Sequence, residues 1–271
     1  MKFSVSILLY IIPTIFLSCN SENNTTEASK AESSTTEVSL NNPPEGYETL
    51  FNGKDFNGWN IITDNEQSDV ELFSVEGGMI HTYKNLEANS VQPFGELISE
   101  KEYENYILSV EYKWGEKKFK PRDEAVRDAG VLFHGFDEDI FWASGAECQI
   151  QEGDTGDLWL IGVRGSTKLE SSNQHYAPDG DTFTKGEDPK KRYQSFPRNW
   201  FWEKEGWNKV IIEVKENSAK FMVNGKLVNE VFDLEYYDEV SKEFKPLTTG
   251  KILLQAEGAE IYYRNIFIKS L

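Results

Sequence analysis

The segment Glu147-Cys148-Gln149-Ile150-Gln151 alternates polar with apolar residues. Successive side chains of a β-strand point to opposite faces, so Glu147, Gln149 and Gln151 share one face while Cys148 and Ile150 share the other. The apolar pair reads as core. The polar trio reads either as the floor of a polar groove or as a plain solvent-facing sheet surface. A carboxyl group flanked by carboxamides can give or take a proton beside groups that fix hydroxyls. Glu111 and Lys113 repeat the pattern within Tyr106–Trp114, where Leu108, Val110 and Tyr112 occupy the opposite face. His134 follows the apolar run Ala129–Phe133 and precedes Gly135. An unperturbed imidazole titrates near neutrality, so His134 is a candidate base, acid or metal ligand. Glu147, His134, Lys113 and Glu111 therefore form the candidate catalytic set. His81 and His175 have no comparable setting.

The elements that must position these groups are strands. Ala129–Phe133, Glu147–Gln151, Leu158–Val163, Val210–Val214, Lys220–Val223, Ile252–Ala256 and Ile261–Ile268 all read as short β segments, and no long amphipathic helix stands out. Glu216-Asn217-Ser218 and Asn224-Gly225 mark hairpin turns. Many short strands joined by Gly-containing turns indicate an all-β, two-sheet sandwich. The stretch from Arg164 to Asn208 is polar and carries Pro178, Pro189 and Pro197, so it is expected as a long loop, either walling a cleft or running through solvent.

Among 271 residues the formal net charge is −18, which argues against nucleic acid and against acidic polymers, leaving a neutral partner. The chain begins with Lys2 and an apolar run, Phe3 to Phe16, short for a bilayer span. Phe16-Leu17-Ser18-Cys19 resembles the lipobox of bacterial lipoproteins. That resemblance implies cleavage after Ser18, acylation of Cys19 and anchoring to the outer membrane of the cell envelope. The Ser-, Thr-, Asn- and Glu-rich residues up to Asn42 cannot bury enough apolar surface to order themselves, so residues 19–42 read as a tether and 43–271 as one domain. With Cys19 acylated, Cys148 has no partner in the chain, and no disulfide framework is expected.

Several blocks then fall in order. Gly46-Tyr47-Glu48-Thr49-Leu50-Phe51-Asn52-Gly53-Lys54-Asp55-Phe56-Asn57-Gly58-Trp59 opens the series, followed by Gly95–Ser99, Tyr106–Trp114 and Ala129–His134. Glu147–Asp157, Gly206-Trp207-Asn208, Val223-Asn224-Gly225, Leu254–Gly258 and Tyr263–Ile266 complete it. Together they resemble the 3-keto-disaccharide hydrolase domain family, formerly domain of unknown function 1080. The resemblance implies a concanavalin A-like jelly roll of two antiparallel sheets and action on glycosides oxidised to a ketone at carbon 3.

A ketone at carbon 3 acidifies the carbon 2 proton. A base can remove it, the enolate can expel the glycosidic oxygen, and water can add to the unsaturated sugar. A divalent ion held by His134 and carboxylates would stabilise that enolate, so a metal stays open although none is fixed by the sequence. The acidic loop Glu152, Asp154, Asp157 lacks the spacing of an EF-hand. Trp142, Trp159, Phe201 and Trp202 are all able to stack on a sugar, although aromatics in such a sandwich are more often core; Trp142 and Trp202, in polar loop contexts, are the better candidates. Gln255 and Glu257 share a face of a late strand and Arg264 lies on the last; the topology implied by the resemblance would bring them to the same groove. The candidate substrate-binding set is thus Gln149, Gln151, Trp142, Trp202, Gln255, Glu257 and Arg264. An enzyme cleaving neutral 3-keto-glycosides is expected, with a non-catalytic carbohydrate-binding lipoprotein as the alternative. The Glu-x-Asp-x-x-Glu run of glucanases is not matched: the corresponding run is Glu147-Cys148-Gln149-Ile150-Gln151-Glu152, with Gln149 at the Asp position.

Overall fold

A computed structural model describes residues 40–65, 69–137, 141–171 and 174–271. The expected signal segment, Cys19 and nearly all of the tether lie outside the described residues. No helix occurs among those described. Among the described residues eighteen strands, numbered in chain order, form two sheets whose ladders are antiparallel.

The smaller sheet has seven strands. Across it run Tyr193–Phe196 (β12), Leu158–Ile161 (β9), Ser144–Gln151 (β8), Asp128–Phe136 (β7), Lys251–Ala256 (β17), Gly95–Ser99 (β5) and Trp59–Thr63 (β2). The larger runs Asp181–Lys185 (β11), Val163–Leu169 (β10), Lys226–Asp238 (β15), Ser218–Val223 (β14), Asn208–Lys215 (β13), Tyr106–Lys118 (β6), Ala259–Ser270 (β18), Met79–Thr82 (β4) and Phe73–Glu76 (β3). Glu48–Thr49 (β1) adds to β18, and Glu243–Pro246 (β16) adds to β15. This is the jelly-roll sandwich that the alternating pattern predicts.

Alternation decides what each strand buries. Leu108, Val110 and Tyr112 of β6 and Val210, Ile212 and Val214 of β13 face Val131 and Phe133 of β7, Cys148 and Ile150 of β8, and Ile252 and Leu254 of β17 in one apolar core. Each such side chain contributes about 1.5–3 kcal/mol on leaving water. A second, smaller cluster, Ile98, Leu132, Ala143, Ile161 and Leu253, lies apart from this core. Its strand residues alternate with core residues, which places it on the outer face of the smaller sheet. There Ala143, just before β8, packs against Ile98, Leu132, Ile161 and Leu253.

One expectation is corrected. The stretch from Arg164 to Asn208 is not a single loop: it holds most of β10 and all of β11 and β12, and β12 extends the smaller sheet beyond β9. Polarity misled because these strands lie at the sheet margins, where one face stays wet. The turns at Glu216-Asn217 and Asn224-Gly225 join β13, β14 and β15 as expected.

Candidate active site

Outer-face residues of β8, β7, β17 and β5 stand side by side. The pairing sets Gln149 opposite Gly130, Leu132 opposite Glu147, and Gln255 opposite Glu96. On its other side Glu147 faces Trp159 of β9. Of these, Glu147, Gln149, Gln255 and Trp159, with Arg122, Asp128, Trp142, Gln151, Ile161, Tyr193 and Glu257, line a cleft of about 380 Å³.

Gly130 explains how the floor closes. A Cβ built there would overlap Glu147 Oε1 and Gln255 Oε1. The bare strand thus lets two side chains from the flanking strands converge above it, a recognised use of glycine within a sheet. Neither oxygen has a hydrogen-bond partner, and neither do Gln149 Oε1 or Glu96 Oε1, although all four are buried. Buried acceptors are costly to leave unmade, so this row calls for donors: a proton on a carboxyl group, water, or the hydroxyls of a ligand.

Next to the row sits a second cluster. The Arg122 guanidinium bridges Asp128 and Glu257. Asp128 also accepts from Gln149 Nε2 at 2.9 Å and Gln151 Nε2 at 2.7 Å. Burial pushes Glu257 up to about 7, reinforced by Asp128 and opposed by Arg122. Burial likewise raises Asp128 despite the same guanidinium. Glu147 is raised well above the carboxylate range, first by burial and then by the charges of Glu257, Asp128 and Glu96. Glu96 is pushed up to about 8 by burial, against the hydrogen bond from Ala143 N and the pull of Arg192. One guanidinium cannot neutralise this many carboxylates, so the cleft retains protons at neutral pH. Two carboxyl groups held at different protonation states are the raw material of acid–base catalysis.

The remaining walls are aromatic. Trp142 stacks against Phe94 at 6.1 Å between centroids. Arg192 holds its segment, donating to the Trp142 carbonyl and, at 3.0 Å, to Ser144 Oγ. Trp159 and Tyr193 stand toward the β9–β12 margin, and Tyr193 is 50% exposed.

Glu147, Gln149, Gln151, Trp142, Gln255 and Glu257 are thus brought together as the sequence suggests. Five candidates lie elsewhere. Glu111, Lys113 and Arg264 belong to the outer face of the larger sheet. There Arg264 Nε donates to Glu111 Oε2 at 2.9 Å, and Lys113 Nζ lies 4.9 Å from the Tyr262 ring centroid. His134 is wholly buried, with Nε2 3.0 Å from the Glu216 carbonyl, and burial lowers it to about 4. It therefore braces the β13–β14 turn as a neutral ring, away from the carboxylates, and the imagined metal site of His134 with carboxylates does not form. Among the described residues no group of three or more His, Cys, Asp or Glu is placed to hold a metal. Trp202 lies in a separate groove of about 970 Å³, beside Trp114, Lys117 and Glu203. The acidic loop is taken up by arginines, Glu152 by Arg127 and Asp154 and Asp157 by Arg198.

Sequence reading missed Arg122, Asp128, Glu96 and Tyr193, and ranked Trp159 below Trp142 and Trp202. Asp128 and Glu96 carried a usable signal, since each adjoins a core residue, Ala129 or Leu97, and so falls on its strand's outer face. Arg122 lies outside any strand, where no periodicity marks it.

The comparisons agree with this architecture. The 3-keto-alpha-glucoside-1,2-lyase-like domain matches residues 46–269, and the chain belongs to that family. No curated protein matches the sequence. Among solved structures, one described as a "putative glycosyl hydrolase" from Parabacteroides distasonis is 20% identical, with a TM-score of 0.53 over 86% of this chain and 100% of that one. The carbohydrate-binding module CBM66 from Bacillus subtilis is 10% identical, with a TM-score of 0.47 over 79% and 96%. A Bacillus licheniformis beta-glucanase is 12% identical, with a TM-score of 0.42 over 83% and 97%. The protein is a jelly roll of a carbohydrate-active domain family.

Proposed function

We propose that the domain cleaves neutral 3-keto-glycosides by elimination followed by hydration. The observation that carries this reading is the buried carboxyl cluster at the Gly130 floor, where Glu147 keeps its proton beside ionisable Glu257. In the proposed reaction the Glu257 carboxylate takes the carbon 2 proton, and the charge that develops on the carbon 3 oxygen lies near the Arg122 guanidinium. The carbon 1–oxygen bond breaks, its electron pair leaves on the glycosidic oxygen, and Glu147 supplies the proton that oxygen needs. Water then adds at carbon 1, giving its proton to Glu147, while Glu257 returns a proton to carbon 2. The oxygens of Gln149 and Gln255 accept sugar hydroxyls. No oxocarbenium ion is required, so the paired-carboxylate spacing of ordinary glycosidases is not demanded.

The test follows a 3-keto-glucoside and its unoxidised parent by NMR in deuterated water, with residues 43–271 and with the full chain. Loss of the keto compound alone, with deuterium appearing at carbon 2, is expected. Binding without turnover would replace this reading with that of a carbohydrate-binding protein, which the amide acceptors and aromatic walls would equally serve.

We also propose that the chain is anchored to the bacterial envelope through acylated Cys19. Mass spectrometry of the membrane fraction should find acyl chains on Cys19, and Cys19→Ala should release the protein into the soluble fraction.

A further inference from the structure

The cleft is chemically divided along β8. Toward β7 and β17 lie Gln149, Gln255, Asp128, Glu257 and Arg122, a dense array of donors and acceptors. Toward β9 and β12 lie Trp159, Ile161 and Tyr193. Glu147 stands on the border, directly across from Trp159. Polar atoms on the second side are few. Strand alternation places the Ser195 hydroxyl beside Trp159, and Arg192 is committed to Ser144 and the Trp142 carbonyl.

A pyranose that must remain bound through the reaction needs partners for several hydroxyls, and the first side holds the unpartnered acceptors. A group that leaves past Glu147 would enter the second side, where it meets rings and one aliphatic chain. A second sugar could lay a C–H face on the rings but would find few partners for its hydroxyls, whereas a flat apolar group stacks on the same rings and has no hydroxyls to satisfy.

We infer that Trp159, Ile161 and Tyr193 form a leaving-group subsite that selects an aryl aglycone over a second sugar. This rests on reading the cleft as a glycoside site. Half-exposed Tyr193 leaves the far end open, so the aglycone can carry substituents that extend into solvent.

Binding decides this without the chemistry of departure, which would itself favour a phenol. Calorimetry and saturation-transfer NMR on the intact chain would compare phenyl, methyl and glucosyl glucosides of both anomers, none of them oxidised. The phenyl compound is expected to bind about tenfold more tightly than the other two, with strong saturation of its ring protons. Tyr193→Ala, at an exposed position, should shrink the preference to about threefold, and Trp159→Ala should remove the rest. A disaccharide binding more tightly than the phenyl glucoside would overturn the inference. So would a preference that survives both substitutions, or no saturable phenyl glucoside binding. Phenyl preference in a protein that leaves every keto substrate intact would keep the subsite and defeat only the proposed reaction.

Discussion

The outer faces of the two sheets both carry charges beside aromatic rings, and they use them in opposite ways. On the larger sheet Glu111 is matched by Arg264 and Asn265. Glu260 is held by His81 at 2.9 Å and Lys117 at 3.1 Å, and Glu203 accepts from Trp114 and Thr155 at 3.2 Å. On the smaller sheet four carboxyl groups share essentially one guanidinium, and four buried oxygens lack donors. The groove on the larger sheet is the roomier of the two. Room is therefore a poorer guide to chemistry than polar capacity left unspent. A paired charge has already been satisfied by the fold, whereas an unsatisfied one awaits a ligand.

Substitutions that treat the two faces alike should break or sharpen this contrast. The largest effect is expected from Glu147→Gln, which keeps shape but removes the acid. Turnover of a 3-keto-glucoside should fall about 10²- to 10⁴-fold with little change in Tm. Lys113→Ala and Glu111→Gln should leave turnover within about twofold. Equal losses on both faces would erase the distinction.

Gly130→Ala comes next, because the new methyl group must displace Glu147 and Gln255. Turnover should drop at least about tenfold, and thermal unfolding should show a loss of about 1–3 kcal/mol. The pH–rate profile offers a gentler test. A base that must be ionised loses activity as pH falls, so an acid limb near 7 is expected from Glu257. An acid that must stay protonated loses activity as pH rises, which puts the alkaline limb with Glu147. Glu257→Gln should abolish the first limb along with most turnover.

His134 should register in stability instead. Its folded pKa, about 4, lies below the ordinary value of 6.5, so the unfolded chain binds the proton first. Stability from this group is complete above about 6.5 and declines as pH falls toward 4, by roughly 3 kcal/mol in all. A chemical-denaturation series for His134→Gln should show a flatter acid slope. Smallest of all, Glu111→Ala should cost about 0.2–1 kcal/mol, as for other partly exposed pairs.

The sequence made the strands legible because alternation separates core from surface, as Cys148 and Ile150 do from Glu147 and Gln149. Alternation does not say which of two outer surfaces a residue joins. Glu111 and Lys113 show the same rhythm as Glu147 yet lie on the other sheet. His134 eluded the pattern for a local reason: the β7–β8 register shifts between Phe133 and Phe136, and His134 takes a left-handed backbone with φ 51°. That departure turns the ring toward the β13–β14 turn. Gly130 was invisible for the opposite reason, since its contribution is an absent side chain. The cleft's aromatic margin was hidden because Trp159 alternates with core residues as an ordinary edge tryptophan would.

Cys148, packed in the core directly after Glu147, carries a thiol that burial raises well above its usual range. Thiolate is the form that attacks disulfides and is oxidised, so this sulfur is chemically quiet. The sandwich is consequently held together by packing that no change in redox poise can cut. It should fold equally well in reducing and in oxidising surroundings, without help from disulfide-forming enzymes. Reductant in the purification buffer should leave its melting curve where it was.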